Sequence, residues 1–398
     1  MGTALVASAC GGRSSLGVQS DGSGGELVGS GEGGSSSGLS GGGAPLGGGF
    51  ATGAAGAGTT GGAPQPSIAK AISAGYSSTC VLKDDGTVWC WGANDKGQLG
   101  NGTTAQSSLP VQVAGVTSAV AIETGGTAVS GGQSGGTTSF NCAVLRDGEV
   151  QCWGALPHAQ PSLLPVSVPG IHQAVAVAGG YWYACALLRR GAVQCWGESW
   201  PSSQPSSDTD QIEFVSGLKE VAAISGRGSR ITCAVEAGGS VQCWNGGEGS
   251  WQPFTVAGIQ TTPRGLGVGY SQGGCAVVRD GGVQCWSGMS QPMKVPGVLD
   301  AVAVSVGLQH TCALLAGGNV QCWGDASQGQ LGNVLPALNV SGVHDAVAVS
   351  AGYRHTCSLS KAGEVWCWGS NTSGQLGNGA NVAEAQPYSS TPVRVRGF

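Results

Sequence analysis

The sequence predicts an all-β fold, a seven-bladed β-propeller with one disulfide-linked hairpin in each blade. Three observations support this prediction. Two cysteines ten positions apart recur seven times, and a tryptophan follows the second cysteine in every copy. Each pair encloses short apolar runs around a turn centre such as Asp-Gly or Gly-Gly, which is typical of a β-hairpin. Repeats of about 46 residues with four short strands each indicate a propeller, whose rings usually contain four to eight blades.

The N-terminal ten residues end in Ala-Ser-Ala-Cys10, where small residues follow an apolar run and precede a cysteine. This pattern resembles the processing site of a bacterial lipoprotein, so we predict that residues 1–10 are a signal remnant and that Cys10 is lipidated. No Lys or Arg precedes the apolar run, and the run is shorter than a normal signal core. A start codon placed too late would explain both departures, and a chance match in an Ala-rich terminus is the alternative.

Residues 11–66 consist mostly of Gly, Ser and Ala and contain almost no aromatic residues. Such a segment cannot bury enough apolar surface to offset its ordering entropy, so we predict a disordered Gly/Ser-rich linker. A flexible chain of this length has a mean reach of about 40 Å. It would hold the folded region, residues 67–398, clear of a membrane surface.

Hairpin geometry predicts how the two cysteines of each repeat face each other. In the first repeat, a three-residue loop at residues 84–86 places Lys83 opposite Thr87 and Cys80 opposite Cys90. The third loop position requires a left-handed backbone, which glycine adopts without strain. The cysteines then form a non-hydrogen-bonded pair with Cα atoms roughly 4.5 Å apart, within disulfide range. The predicted left-handed glycines are Gly86, Gly148, Gly191, Gly239, Gly282, Gly318 and Gly363. The predicted disulfides are Cys80–Cys90, Cys142–Cys152, Cys185–Cys195, Cys233–Cys243, Cys275–Cys285, Cys312–Cys322 and Cys357–Cys367.

The composition restricts the classes of partner. Fifteen cysteines comprise seven pairs and Cys10, and regular pairing favours disulfides and an oxidising compartment, either a bacterial envelope or the exterior. Buried free thiols or a metal site are the alternatives, but zinc ligands usually lie two to four residues apart. The net charge is 17 − 22 = −5 with no cluster of Lys and Arg, which argues against a nucleic-acid partner. We expect no cofactor and no metal.

Strands of two further types flank each hairpin. An alternating Ala/Val strand that ends in glycine precedes it, as at residues 346–352, and its small side chains fit near a propeller axis. A short run with Pro and Val follows, as at residues 392–395, and Pro suits an edge strand because it lacks an N–H. We expect residues 393–396 to pack beside residues 68–74 and close the ring.

The seventh repeat reads Gly352-Tyr-Arg-His-Thr-Cys-Ser-Leu, then Gly363-Glu-Val-Trp-Cys-Trp-Gly-Ser-Asn, and then Gly374-Gln-Leu-Gly-Asn-Gly379. This repeat closely resembles that of the regulator of chromosome condensation family, and so do residues 75–102 and 307–333. The resemblance covers residues 67–398 and implies a seven-bladed propeller. The middle repeats depart from it, because they lack Gly-Gln-Leu-Gly. The His-Thr pair survives only at His310 and His355, and we interpret these histidines and the repeated tryptophans as structural.

The loop between the Ala/Val strand and the first cysteine strand opens on one face in every repeat. These loops contain many Tyr, Trp and Arg residues, the types enriched at binding hot spots. We therefore predict a partner-binding face, although single tyrosines that merely cap their blades are the alternative. Its predicted residues are Tyr76, Tyr181, Trp182, Tyr183, Arg227, Arg230, Tyr270, Tyr353 and Arg354.

The most favoured function is a non-enzymatic, extracytoplasmic protein-binding propeller, monomeric and attached to a membrane only through its N-terminal lipid. The resemblance offers a precedent, a secreted bacterial β-lactamase inhibitor that uses the same kind of face. A carbohydrate-binding or adhesion propeller is the alternative, because aromatic loops also stack on glycans. Guanine-nucleotide exchange, known for eukaryotic members, requires an inserted wedge that we do not find in the sequence. No phosphate loop, metal cluster or nucleophile–base pair is visible, so we expect no enzyme activity.

Overall fold

The computed structural model describes residues 67–126, 139–157, 160–197, 212–246, 251–270, 273–333, 339–380 and 387–398. Cys10 and the predicted linker lie outside the described residues. The described part consists of strands and turns. Among these residues, no helix is long and apolar enough to cross a membrane.

Seven antiparallel sheets form seven blades, which confirms the predicted propeller. Each blade is built from consecutive strands in chain order. Blade 1 contains β1 (Ala69–Ala74), β2 (Ser78–Lys83), β3 (Val88–Gly92) and β4 (Ser107–Gln112), and blade 2 contains β5 (Ala119–Gly125), β6 (Phe140–Leu145), β7 (Val150–Gly154) and β8 (Ser162–Ser167). Blade 3 contains β9 (Ala174–Gly179), β10 (Tyr183–Leu188), β11 (Val193–Gly197) and β12 (Glu213–Phe214).

The remaining blades follow the same order. Blade 4 contains β13 (Val221–Ser225), β14 (Ile231–Glu236), β15 (Val241–Asn245) and β16 (Phe254–Thr255), and blade 5 contains β17 (Thr261–Val268), β18 (Gly273–Val278), β19 (Val283–Ser287) and β20 (Met293–Lys294). Blade 6 contains β21 (Ala301–Val306), β22 (His310–Leu315) and β23 (Val320–Gly324), and blade 7 contains β24 (Ala346–Ala351), β25 (His355–Ser360), β26 (Val365–Ser370) and β27 (Tyr388–Arg394).

The first strands of neighbouring blades contact one another around the axis, and the ring closes where β1 contacts β24 and β25. The predicted closure through residues 393–396 is therefore wrong. Those residues lie at the outer edge of blade 7, where β27 pairs with β26. Because every blade consists of consecutive strands, closure needs contact between inner strands and no exchange of an outer one.

All seven predicted disulfides are present, one in each blade. In every hairpin the two cysteines pair directly across the strands, as Cys80 does with Cys90, with Cα atoms 4.0 to 4.1 Å apart. The loop of the first hairpin closes as predicted, with the Lys83 N–H donating to the Thr87 carbonyl. One predicted turn glycine is wrong: in blade 5 the left-handed residue is Gly281, with a φ of 76°, and not Gly282. Gly281 stands six residues after Cys275, the same offset as Gly86 from Cys80.

The hydrophobic core lies between the blades. One apolar cluster joins Leu82 and Val88 of blade 1 to Trp153 of blade 2, and comparable clusters join the other neighbours. Trp91, Trp153, Trp244 and Trp368 are completely buried, which confirms that these tryptophans are packing residues. The propeller is thus stabilised within each blade by a disulfide and between blades by aromatic packing.

Three blades carry a Gly-Gln-Leu-Gly loop after the third strand, and each loop contacts the next blade. In blade 1, the carbonyl of Gln98 accepts hydrogen bonds from the Asn141 side chain and from Trp153 Nε1 in blade 2, at 2.6 and 3.0 Å. Gly97 of the same loop lies against the outer strand β8 of blade 2, where an added Cβ would stand 2.7 Å from Leu163. Loops of this kind therefore support both the third and the outer strand of the following blade.

Candidate functional site

The loops between the first and second strands lie on one face of the ring, which we call the upper face. Backbone hydrogen bonds join them around the axis. Tyr353 N–H donates to Gly75 O at 2.9 Å, Leu308 N–H to Tyr353 O at 3.3 Å, and Tyr270 N–H to Gly307 O at 3.3 Å. These bonds connect blades 5, 6, 7 and 1, so the loops form a continuous surface.

A second row of bonds lies just below these loops. The hydroxyls of Ser73, Ser225, Ser305 and Ser350 occupy the same position in four first strands. Each accepts a hydrogen bond from a backbone N–H in the next first strand, at 2.9 to 3.1 Å. This row fixes the height of one blade relative to the next and so determines where the upper-face loops begin.

Three tyrosines from blades 1, 5 and 7 form the centre of the upper face, and we call them the tyrosine cluster. The ring centroids of Tyr76 and Tyr353 lie 4.1 Å apart, and those of Tyr270 and Tyr353 lie 5.3 Å apart at nearly a right angle. Tyr76 and Tyr353 are half-buried, whereas Tyr270 is buried. The exposed guanidinium of Arg354 lies 5.7 Å from the Tyr353 ring. Burial raises the pKa of Tyr76, and the neighbouring Tyr353 raises it further.

A second group, which we call the tryptophan cluster, projects from blades 3 and 4. Tyr181 and Trp182 are half-buried, and their rings meet edge to face at 5.9 Å. The exposed guanidinium of Arg230 lies 5.8 Å from the Tyr181 ring. The cluster therefore presents two aromatic rings beside a cation, a combination common at protein interfaces.

Two of the predicted binding residues are fully inside the protein. Tyr183 is 1% exposed, packs 5.2 Å from the Trp251 ring, and shares a 2.8 Å hydrogen bond with the Thr232 hydroxyl. Burial raises its pKa above the ordinary range. Arg227 is 2% exposed. The alternation of the strand explains Tyr183, because it is the first residue of β10 and points between blades 3 and 4.

Arg227 extends from blade 4 across the axis. Its Nη2 lies 2.9 Å from Glu123 Oε1 in blade 2, and its Nη1 donates to Ser350 Oγ and to the Ala351 carbonyl in blade 7, at 3.1 and 2.8 Å. Burial raises the pKa of Glu123 to about 7, although the Arg227 guanidinium acts in the opposite direction. Glu123 Oε2 and the Tyr270 hydroxyl are buried and have no hydrogen-bond partner among the described residues.

Glu123 is not among the site residues predicted from the sequence, although a comparison of the repeats singles it out. Its position in the first strand is occupied by serine in blades 1, 4, 6 and 7, and Glu123 faces Cys142 as Ser73 faces Cys80. A carboxylate at a position otherwise occupied by small residues on the axis needs a cationic partner, because an unpaired buried charge is costly. Arg227 is that partner, and it is 104 residues away in the sequence.

The two histidines of the His-Thr pairs, His310 and His355, are structural, as predicted. His310 Nε2 and Thr356 Oγ1 are 2.9 Å apart across blades 6 and 7, and His355 Nε2 and Thr79 Oγ1 are 2.9 Å apart across blades 7 and 1. Burial lowers the pKa of His310 to about 4 and that of His355 to about 3, which keeps both rings neutral near pH 7. Among the described residues, no group of three or more His, Cys, Asp and Glu side chains could hold a metal ion.

Several solved structures are similar to this chain at low identity. Human WBSCR16 is 18% identical, with a TM-score of 0.51 over 83% of this chain and 83% of its own. Prp20p from Saccharomyces cerevisiae, described with its binding to Gsp1p and histones, is 18% identical, with a TM-score of 0.47 over 82% of this chain and 76% of its own. The ectodomain of the Arabidopsis thaliana receptor kinase ACR4 is 18% identical, with a TM-score of 0.47 over 76% of this chain and 96% of its own. At these identities the likeness concerns the fold alone.

Family models of one repeat match part of the chain. The regulator of chromosome condensation (RCC1) repeat matches residues 69–98, 301–330 and 346–375, and a second description of the same repeat matches residues 85–129 and 362–398. These segments include most of blades 1, 6 and 7 and the first strand of blade 2. The chain therefore carries RCC1 repeats in the blades on either side of its ring closure.

Proposed function

We propose that this propeller is a non-enzymatic binding module that recognises a protein partner through the upper face. The observation that supports this most directly is the tryptophan cluster, in which half-buried Tyr181 and Trp182 lie beside the exposed Arg230. Large aromatic rings and arginine provide most of the binding energy in protein interfaces. RCC1-type propellers commonly bind proteins, which agrees with this proposal.

The two clusters of the upper face belong to one surface. The Tyr181 N–H donates to the Ser229 carbonyl at 3.0 Å, so the blade 3 loop is joined to the blade 4 loop. In that blade 4 loop, Gly228 lies so close to the Tyr270 ring that an added Cβ would overlap it. Backbone from residues 228–229 therefore connects the tryptophan cluster to the tyrosine cluster, and a single partner could contact both.

Of the nine predicted binding residues, we keep in the proposal those whose side chains reach the surface. Tyr183 and Arg227 are inside the protein, and Tyr270 is 8% exposed, so these three support the surface from below. The proposed contact residues are Tyr76, Tyr181, Trp182, Arg230, Tyr353 and Arg354.

We further propose that the protein works outside the cytosol and is anchored through a lipid on Cys10. Seven disulfides, one in every blade, support an oxidising compartment. Mass spectrometry of the mature N-terminus tests the anchor: a diacylglyceryl group on Cys10 is expected. A mature chain with an unmodified Cys10 would remove the anchor from the proposal without affecting the binding face.

Site-specific photo-crosslinking of the full chain tests the binding face. A benzoylphenylalanine at position 182, irradiated in the native envelope fraction, should give a stoichiometric adduct with one protein. Arg354→Glu should lower the yield, because it reverses a charge on the same surface. The matched control is Lys361→Glu, an equal charge change in the same blade at the hairpin turn on the opposite face, where Lys361 is exposed.

An equal yield from a crosslinker placed at position 361 would contradict the upper face as the interface. Retention of the protein on a glycan array without any protein adduct would favour the carbohydrate-binding alternative instead. Accelerated nucleotide release from a small GTPase would contradict the non-enzymatic assignment.

A further inference from the structure

Two departures from the internal repeat meet on the propeller axis. The residue two places after the serine row is glycine in six blades, at Gly75, Gly125, Gly180, Gly269, Gly307 and Gly352, but blade 4 has Arg227 there. At the position of the serine row, blades 3 and 5 have the small residues Ala178 and Gly267, whereas blade 2 has the charged Glu123. Arg227 and Glu123, the charged residues at these two positions, form one buried ion pair with their atoms 2.9 Å apart. This indicates that the two residues act together.

The local structure explains why blade 4 accepts a side chain at this position. In blades 2, 3, 6 and 7 an added Cβ would overlap the ring of the first residue of the second strand, respectively Phe140, Tyr183, His310 and His355. Blade 4 has the aliphatic Ile231 in that place, so the ring found there in those four blades is missing. The absence of this ring allows an arginine whose side chain turns to the axis.

The pair joins blades that are not neighbours. Arg227 in blade 4 bonds to Glu123 in blade 2 and to Ser350 Oγ and the Ala351 carbonyl in blade 7. All three blades carry upper-face loops directly beyond these residues, with Gly126 in blade 2, Gly228 in blade 4 and Tyr353 in blade 7. The other axial hydrogen bonds of the described residues join adjacent blades, so Arg227 supplies the hydrogen bonds that cross the ring, beside the ring contact of Tyr270 with Tyr353.

We propose that Arg227 and Glu123 are positioning residues of the upper face: their bond across the axis fixes Gly126 at the end of β5 and the loops of blades 4 and 7 in one arrangement. The consequence for partner binding rests on the proposed function, because a preorganised surface loses less conformational entropy on binding. The tyrosine cluster sits directly on this connection, since Tyr270 packs on Gly228 and Tyr353 follows Ala351 by two residues.

The test restores the pattern of the other blades. Arg227→Gly alone leaves the Glu123 carboxyl buried without its hydrogen-bond partner, and should lower the melting temperature. The double variant Glu123→Ser, Arg227→Gly replaces both exceptions by the residues that the other blades use. It should recover most of the melting temperature. Hydrogen exchange followed by mass spectrometry, with no partner present, should still be at least tenfold faster in peptides containing Gly126, Gly228 and Tyr353.

The matched control is Lys361→Gly, which replaces an exposed cation by glycine at the hairpin turn of blade 7 without breaking the connection, and should leave those rates unchanged. Wild-type exchange rates at all three loops in the double variant would overturn the proposal. Faster exchange in every blade, including the hairpin turns on the opposite face, would also overturn it, because the pair would then act on global stability alone. Since exchange is measured without a partner, a failed search for the partner would contradict the proposed function and not this inference.

Discussion

The boundaries between blades 6 and 7, 7 and 1, and 1 and 2 differ from the four boundaries between blades 2 and 6 in how the neighbouring blades are joined. At the boundaries 6/7, 7/1 and 1/2, a Gly-Gln-Leu-Gly loop contacts the next blade, and its Gln carbonyl accepts the indole N–H of the next tryptophan, as Gln375 does from Trp91 at 2.8 Å. The boundaries from blade 2 to blade 6 have no such loop in the sequence. Accordingly, Trp244 Nε1 in blade 4 is buried and has no hydrogen-bond partner among the described residues.

The outer strands follow the same division. In blades 7, 1 and 2, each preceded by a Gly-Gln-Leu-Gly blade, the outer strands β27, β4 and β8 contain seven, six and six residues. In blades 3, 4 and 5 the outer strands contain two residues each, and in blade 6 the described residues form only the bridge Gln321–Asn339. Blade 2 lacks the loop yet has a long outer strand, whereas blade 6 has the loop and, among its described residues, only that bridge. The loop therefore supports the outer strand of the following blade, not of its own.

Neighbouring blades are therefore stabilised in two different ways around the ring. The boundaries 6/7, 7/1 and 1/2, which we call regular, contain the hydrogen-bonded loops and both structural histidines. Blades 3, 4 and 5, which we call irregular, have short outer strands, and blades 3 and 4 carry the tryptophan cluster and Arg227. One disulfide in every blade lets the irregular blades keep their hairpins without the interblade loop, since closing a hairpin loop of this size stabilises it by about 2.5–3 kcal/mol on the chain-entropy model. The irregular blades thus keep their hairpins while carrying three of the six proposed contact residues, and the other three lie in the regular blades 1 and 7.

The largest effect is expected from Leu99→Ala, at the regular 1/2 boundary. Leu99 is completely buried in the cluster that contains Trp153 of the next blade. Truncation should lower the free energy of unfolding by about 2–5 kcal/mol, measured by urea denaturation. Leu299→Ala is the control, because Leu299 is 63% exposed and should change it by less than about 0.5 kcal/mol. Equal effects of the two substitutions on the free energy of unfolding would show that Leu99 does not stabilise the boundary between blades 1 and 2.

A smaller loss of unfolding free energy is expected from substituting two buried threonines, and it should differ between them. The Thr79 hydroxyl bonds His355 Nε2 and the Gln375 carbonyl at a regular boundary, whereas the Thr232 hydroxyl bonds only Tyr183 at the irregular 3/4 boundary. Thr79→Val should cost about 2–3 kcal/mol, because it leaves a buried imidazole nitrogen unpaired. Thr232→Val should cost about 1 kcal/mol, because it removes a single hydrogen bond between two uncharged hydroxyls. The reverse order in urea denaturation would contradict the assigned roles.

The pH dependence of stability should come mainly from the regular half. Because the folded-state pKa values of His310 and His355 are lowered to about 4 and about 3, the unfolded chain binds protons first below pH 6.5. Stability should therefore fall as the pH drops from about 6.5 towards 3, by at most about 1.4 kcal/mol per pH unit for each histidine. Urea midpoints measured across this range provide the test.

Glu123 should contribute with the opposite sign. Its pKa is raised to about 7, so the folded state binds the proton first, and this contribution grows as the pH falls from about 7 to 4.5. The variant His310→Gln, His355→Gln should remove the acid-side loss, and Glu123→Gln should remove the opposing gain. An unchanged acid-side slope in the double-histidine variant would show that other groups control it.

The smallest difference is expected among the disulfides. Cys285 in irregular blade 5 is partly exposed, whereas Cys322 and Cys367 in blades 6 and 7 are completely buried. Mild reduction followed by alkylation and peptide mass spectrometry should label Cys285 a few-fold faster than either of these. Simultaneous labelling of all three would indicate that the disulfides open only with global unfolding.

The sequence by itself determined the seven hairpins, their cysteine pairing and the number of blades, because these depend on residues ten positions apart within one turn of chain. Even the one misplaced turn glycine, Gly282 in place of Gly281, left the register of its hairpin unaffected. Only the tertiary structure decided that Tyr183 is core, that Arg227 reaches Glu123 and Ser350, and that the ring closes through β1 and β24. The physical reason is that these contacts join separate blades, so their partners follow from the curvature of the closed ring and not from spacing along the chain.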